Sequence, residues 1–130
     1  MAPIGIFIDA LQGTIPTSFR QRINTMIQEF PEIAFCAEEE DLTSLEGLHR
    51  MAKRLEMGEA DRVIIIGGSP KIYETSFQKW GHPLPLNPYL FAVANVREQV
   101  LWAMADEDSA FEKAKTIITK TIRMVSTSQS

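Results

Sequence analysis

Residues 61–71 read DRVIIIGGSPK, and this stretch decides the fold. A charged edge leads into four β-branched residues, Val63-Ile64-Ile65-Ile66, which break at Gly67-Gly68 and restart at Ser69-Pro70. A continuous apolar run between turn signals is expected to be a strand buried on both faces, as a parallel sheet covered by helices requires. The two glycines permit a sharp turn with φ > 0. Ser69 is placed to cap a helix, and Pro70 suits its first position, where a missing N–H costs nothing. In open α/β sheets this is the edge where ligands or partners sit.

Upstream, residues 4–8 (IGIFI) form a second such strand, ending at Asp9. After a loop over residues 10–16, a helix is expected from Thr17, with Phe19, Ile23, Met26, Ile27 and Phe30 at helical spacing and Pro31 stopping it. Residues 33–37 are the next strand, closed by the acidic run 38–41. Thr43 and Glu46 have capping-box spacing, Leu45, Leu48, Ala52 and Leu55 make the apolar stripe, and Gly58 ends the helix.

Downstream of the central strand comes a helix over about residues 70–80, then the proline-rich loop GHPLPLNP at 81–88 and a strand at 89–94. Asn95 and Glu98 are spaced to box the start of a further helix, with Val96, Val100 and Met104 turned inward. Ser109 and Glu112 repeat that spacing before a last helix, whose apolar side carries Phe111, Ala114, Ile118, Ile122 and Val125; residues 126–130 are expected to be a frayed tail. Strands alternating with helices predict right-handed crossovers. The expected architecture is a three-layer α/β domain over residues 1–130: a four-stranded parallel sheet in order 2-1-3-4, helices on both faces, half of a Rossmann- or flavodoxin-like arrangement.

A net charge of −4 argues against nucleic acid as a partner. Cys36 is the single cysteine, so no internal disulfide or thiolate cage can form, which suits a reducing, cytoplasmic setting. No segment approaches the roughly 20 apolar residues of a membrane span, and the N-terminus lacks the basic flank of a signal peptide. Neither membrane insertion nor a leader is expected.

Candidate chemistry gathers at the carboxyl edge of the sheet. Asp9, Gly67, Gly68, Ser69 and Arg97 are expected to meet there as an anion or small-ligand site, with Lys71 adding charge. The pattern is neither GxGxxG nor a Walker motif. Asp9 and residues 38–41 would bring carboxylates together, but a solvated loop accounts for that run, and His49 and His82 have no partner ligands at metal spacing. No metal and no catalytic residue is assigned. Cys36 reads as a small buried hydrophobe and the six methionines as core filling. Trp80, Leu84 and Leu86, held between prolines, are the expected interface.

GGSPKIYETSFQKWG (67–81) and LNPYLFAVANVREQVLW (86–102) resemble the N-terminal domain of the heterodisulfide reductase A subunit. In that family a strand ends in a Cys-Ser-Pro turn, and a later segment reads close to Asn-Pro-Tyr-Leu-Phe-x-x-Ala-Asn-Ile-Arg-Glu-x-Cys. The resemblance runs from GIFID (5–9) to FEKAK (111–115), strongest over 69–102 and thin over 10–60. It implies an iron–sulfur cluster held by cysteines at positions matching Asp9, Leu11, Gly68 and Val100, none of which is cysteine here. It also implies partners, since family members work in multi-subunit electron-transfer complexes of methane and sulfur metabolism. The family's flavin-binding region would lie beyond residue 130, so neither flavin nor catalysis is carried over. The resulting expectation is a cluster-less, free-standing, non-catalytic accessory subunit without cofactors. It would dock with heterodisulfide-reductase-like subunits or pair with its own copy. The alternative is a small anion- or ligand-binding protein using the edge residues.

Overall fold

A computed structural model describes residues 3–80 and 90–128. Four strands, β1 (Ile4–Asp9), β2 (Ile33–Glu39), β3 (Arg62–Gly67) and β4 (Leu90–Asn95), form one sheet in order β2-β1-β3-β4, every pair parallel. Helices α1 (Thr17–Ile27), α2 (Leu45–Leu55), α3 (Pro70–Lys79) and α4 (Glu107–Thr127) cover it, as the alternating pattern predicts. Strand residues alternate between the two faces. Ile4, Ile6, Ile8, Ile64, Ile66 and Ala94 pack with α1 and α4, while Phe7, Phe35, Val63 and Ile65 pack with α2 and α3. The central run is apolar throughout because both of its faces are covered. No described helix is long and apolar enough to cross a membrane.

Several local expectations are corrected. Ser44, not Thr43, caps α2: its hydroxyl accepts from Gly47 N–H at 3.0 Å. Thr43 is already engaged, because its N–H and hydroxyl both donate to Asp41 Oδ1, at 2.9 and 2.5 Å. Asp106 likewise displaces Ser109 as the cap of α4, accepting from Ser109 N–H at 2.8 Å. Ser69 stands at the N-cap of α3 with extended backbone, but its hydroxyl makes no capping bond. After β4, Asn95 does accept from Glu98 N–H at 3.1 Å, yet the segment it opens is a five-residue π-helical turn, Arg97–Leu101. The last helix runs through Thr127, past residue 126, the expected start of the tail. Met26 and Met51 fill the core, but Met57 and Met124 are exposed, one just past α2 and one on α4 beside β4.

The carboxyl edge is held by one buried side chain. Asp9 lies two residues beyond Phe7, on the same face of β1, and is 0% exposed. Its Oδ1 accepts from Leu11 N–H at 3.0 Å and Leu42 N–H at 3.1 Å, and its Oδ2 from the Tyr73 hydroxyl at 2.8 Å. Tyr73 in turn accepts from Gly68 N–H at 3.1 Å. One carboxylate thus ties together the loops after β1, β2 and β3. Burial pushes its carboxyl up to about 6 from the usual 3.8, against the lowering effect of those hydrogen bonds.

Two measurements test these assignments. Ser44→Ala is expected to cost about 1 kcal/mol in urea denaturation, as loss of an N-cap does. Glu46→Gln, the partner a box at Thr43 would need, stays within about 0.5 kcal/mol. For Asp9 the folded-state pKa lies above the unfolded one, so the native state holds the extra proton between them. The contribution is full below pH 3.8 and is lost as pH rises through about 6. Across that window, wild type should lose on the order of 3 kcal/mol relative to Asp9→Asn. A constant difference between the two curves would show that Asp9 titrates normally.

Candidate functional site

The loop after β1 leaves the sheet in an unusual conformation. Leu11, Gln12 and Gly13 take consecutive positive φ values of 49°, 58° and 84°. For the two non-glycine residues this left-handed geometry costs about 1 kcal/mol each. Backbone bonds hold the loop in place: Ala10 N–H donates to Glu39 O and Gln12 N–H to Glu40 O, both at 2.8 Å. With Asp9 gripping Leu11 N–H, the loop is pinned to the end of β2.

Gly67 and Gly68 serve a different purpose from the one their sequence suggests. Neither has positive φ. A Cβ on Gly67 would collide with the Tyr73 hydroxyl, and one on Gly68 would come within 2.8 Å of Ile72 and 3.0 Å of Leu11. The pair lets α3 and the first loop close over the strand end. The same position on Gly68 lies 3.4 Å from Arg97 Nη2, so the guanidinium rests against the turn.

Arg97 is placed by the π-helical turn. Leu101 N–H reaches back to Val96 O and Trp102 N–H to Arg97 O, each five residues away. That wider turn brings the Arg97 guanidinium over the Trp102 ring, 4.9 Å from its centroid. Isolated π turns of this kind are frequent at functional sites. Arg97 Nε donates to Glu98 Oε2 at 3.1 Å and Nη1 to Thr14 Oγ1 at 3.4 Å. Glu98 therefore spends its carboxylate on Arg97.

Between these elements lies a crevice of about 460 Å³, lined among others by Leu11, Thr14, Asp41, Lys71, Ile72 and Arg97. Because β1 connects to β2 on one side and β3 to β4 on the other, this is the switch point of the sheet. The structure brings Arg97 and Lys71 to it. Asp9, Gly67 and Gly68 lie beneath it as support, with Asp9 turned inward and its carboxylate fully engaged. Burial opposes ionisation of Asp41, yet hydrogen bonds from Thr43 and Gln12 and the Arg97 charge hold its carboxyl below the usual value. The rest of the acidic run spreads outward, Glu38 to Arg20 and Glu39 to Arg50. Among the described residues no three metal-ligating side chains come together.

The residues that sequence reasoning missed are Tyr73, Thr14 and Leu11 as a floor residue. The period-two alternation of β1, which sets Asp9 on the face of Phe7, was the one signal for an inward carboxylate needing partners. Trp80 is half-buried and donates its indole N–H to Thr43 O at 3.2 Å. Leu84, Leu86 and His82 lie outside the described residues. Trp102, 66% exposed, is the large aromatic the edge presents. Cys36 sits mid-strand, half-buried, and burial followed by the Glu38 charge pushes its thiol up to about 12.

No family model matches the chain. It is 31% identical over 97 residues to the A subunit of the ferredoxin/F(420)H(2)-dependent CoB-CoM heterodisulfide reductase of Methanosarcina acetivorans. It is 32% identical over 97 residues to the A subunit of the ferredoxin:CoB-CoM heterodisulfide reductase of Methanosarcina mazei. Each match takes in 74% of this chain and 12% of the relative. A match to an iron-sulfur A subunit of the CoB–CoM heterodisulfide reductase of Methanopyrus kandleri is 33% identical over 73 residues, 55% of this chain and 11% of that protein. The chain thus spans about an eighth of the length of these relatives. Over most of its own length, the chain belongs to the family of the heterodisulfide reductase A subunit, matching one segment of it.

Proposed function

We propose that this chain is a non-catalytic accessory or docking subunit of a heterodisulfide-reductase-like electron-transfer complex, keeping the shape of the related segment without its iron–sulfur cluster. The observation that carries the reading is the donor set at the positions the resemblance matches to cluster ligands. A [4Fe–4S] cluster needs about four thiolates. Leu11 and Val100 are buried apolar side chains, and Gly68 has none. Asp9 has an oxygen donor, but it is buried under three hydrogen bonds. Cys36, in register with Ile6, stands away from the strand end, and its raised pKa opposes the thiolate form. The residues present do not fit a cluster.

What remains for such a subunit is contact. Exposed Trp102 stacked on Arg97, at the edge facing away from the core, is a combination enriched at binding hot spots. Anaerobically prepared protein is expected to carry no stoichiometric iron or acid-labile sulfide. Affinity capture from native extract of the source organism is expected to return reductase-like or iron–sulfur subunits, and Trp102→Ala to weaken that capture without changing the urea midpoint. Stoichiometric iron and sulfide, or capture that returns no such partner, would overturn the proposal.

A further inference from the structure

The switch-point crevice has a two-part lining. Leu11 and Ile72 supply apolar surface, while Lys71 and Arg97 bring positive charge from the first turn of α3 and from the segment after β4. The Arg97 side chain is only 16% exposed. With Nε and Nη1 committed to Glu98 and Thr14, Nη2 makes no hydrogen bond among the described residues. Lys71 has no ion-pair partner among them either. The one carboxylate in the lining, Asp41, is already satisfied: Oδ1 by Thr43 and Oδ2 by Gln12 Nε2 at 2.8 Å. Arg97 Nη2 and Lys71 therefore border the cleft without a hydrogen-bonded carboxylate of their own, while the Asp41 charge remains and acts on Arg97.

We infer that this crevice binds a small organic anion, its carboxylate or phosphate head between Arg97 and Lys71 and its apolar body on Leu11 and Ile72. The volume of about 460 Å³ suits a small molecule. A partly buried guanidinium with an uncommitted amino group favours an oxyanion. A bare inorganic ion would use the charges and leave the floor wet, whereas an alkyl chain displaces water from it.

Calorimetric titration of the full chain with acetate, butyrate, hexanoate and inorganic phosphate tests this. Affinity is expected to be saturable and to rise by up to about fourfold per methylene that reaches the floor. Hexanoate should shift the amide resonances of Leu11 and Ile72. Lys71→Met, at an exposed position, should weaken hexanoate roughly three- to tenfold with an unchanged urea midpoint. Asp41→Asn, which removes the opposing charge, should tighten it. Absence of saturable binding, affinity independent of chain length, shifts that leave Leu11 and Ile72 unmoved, or unaltered binding by Lys71→Met would each overturn the inference. Iron content and partner capture do not enter these readouts, so this inference and the docking reading fail separately.

Discussion

A carboxylate with no access to water stands at the end of the first strand, and the rest of the carboxyl edge is arranged around satisfying it. An ionised group in that position is costly unless hydrogen bonds replace its hydration. Here the replacements come from three separate segments: Leu11 in the loop after β1, Leu42 in the loop after β2 and Tyr73 in the first turns of α3. Tyr73 carries the chain of bonds on to Gly68 N–H. The glycine at 67 is a consequence, since the phenol occupies the space its Cβ would need. The burial of Asp9, the bareness of Gly67 and the aromatic one turn into α3 are one constraint seen at three places in the sequence.

The crevice inherits its geometry from that tie. Leu11 is held in a left-handed conformation by the Asp9 bond, which places its side chain under the cleft. Gly68 is held by Tyr73, and its lack of a side chain lets Ile72 and Leu11 close on the turn, with Arg97 resting beside it. The π turn then fixes Arg97 from the other side by stacking it on Trp102. The site is thus preorganised by backbone and buried side chains, while the groups facing the cleft are few.

The layers and strand order were legible because they rest on strong, redundant signals. Four β-branched residues in a row at 63–66 need apolar cover on both sides, and handed crossovers then leave little freedom in strand order. The edge was less legible because there several weak preferences compete. Thr43 has good capping chemistry, but Asp41 takes its hydroxyl first, and Asp106 pre-empts Ser109 in the same way. Glycines at 67 and 68 suggest positive φ, whereas the structure uses their smallness. The π turn has no periodic signature in five residues, so Asn95 and Glu98 read as an ordinary capped helix.

The same tie bears on why the edge would tolerate loss of a metal. In a cluster-bound domain, ligands from separate loops are drawn together by the coordination bonds, and the binding energy contributes to folding. A chain that surrendered those ligands would leave its loops open unless other interactions closed them. Here each matched position has a non-metal role: Asp9 collects three donors, Leu11 and Val100 are packed into the apolar core, and Gly68 admits Ile72 and Leu11 at close range. On the docking reading, hydrogen bonds and packing replaced coordination without reshaping the backbone that a partner would meet. The charge at the rim is consistent with that exchange. Arg97 is paired with Glu98 and acts on the ionised Asp41, so its charge is balanced by carboxylates of the chain itself rather than by anionic thiolates.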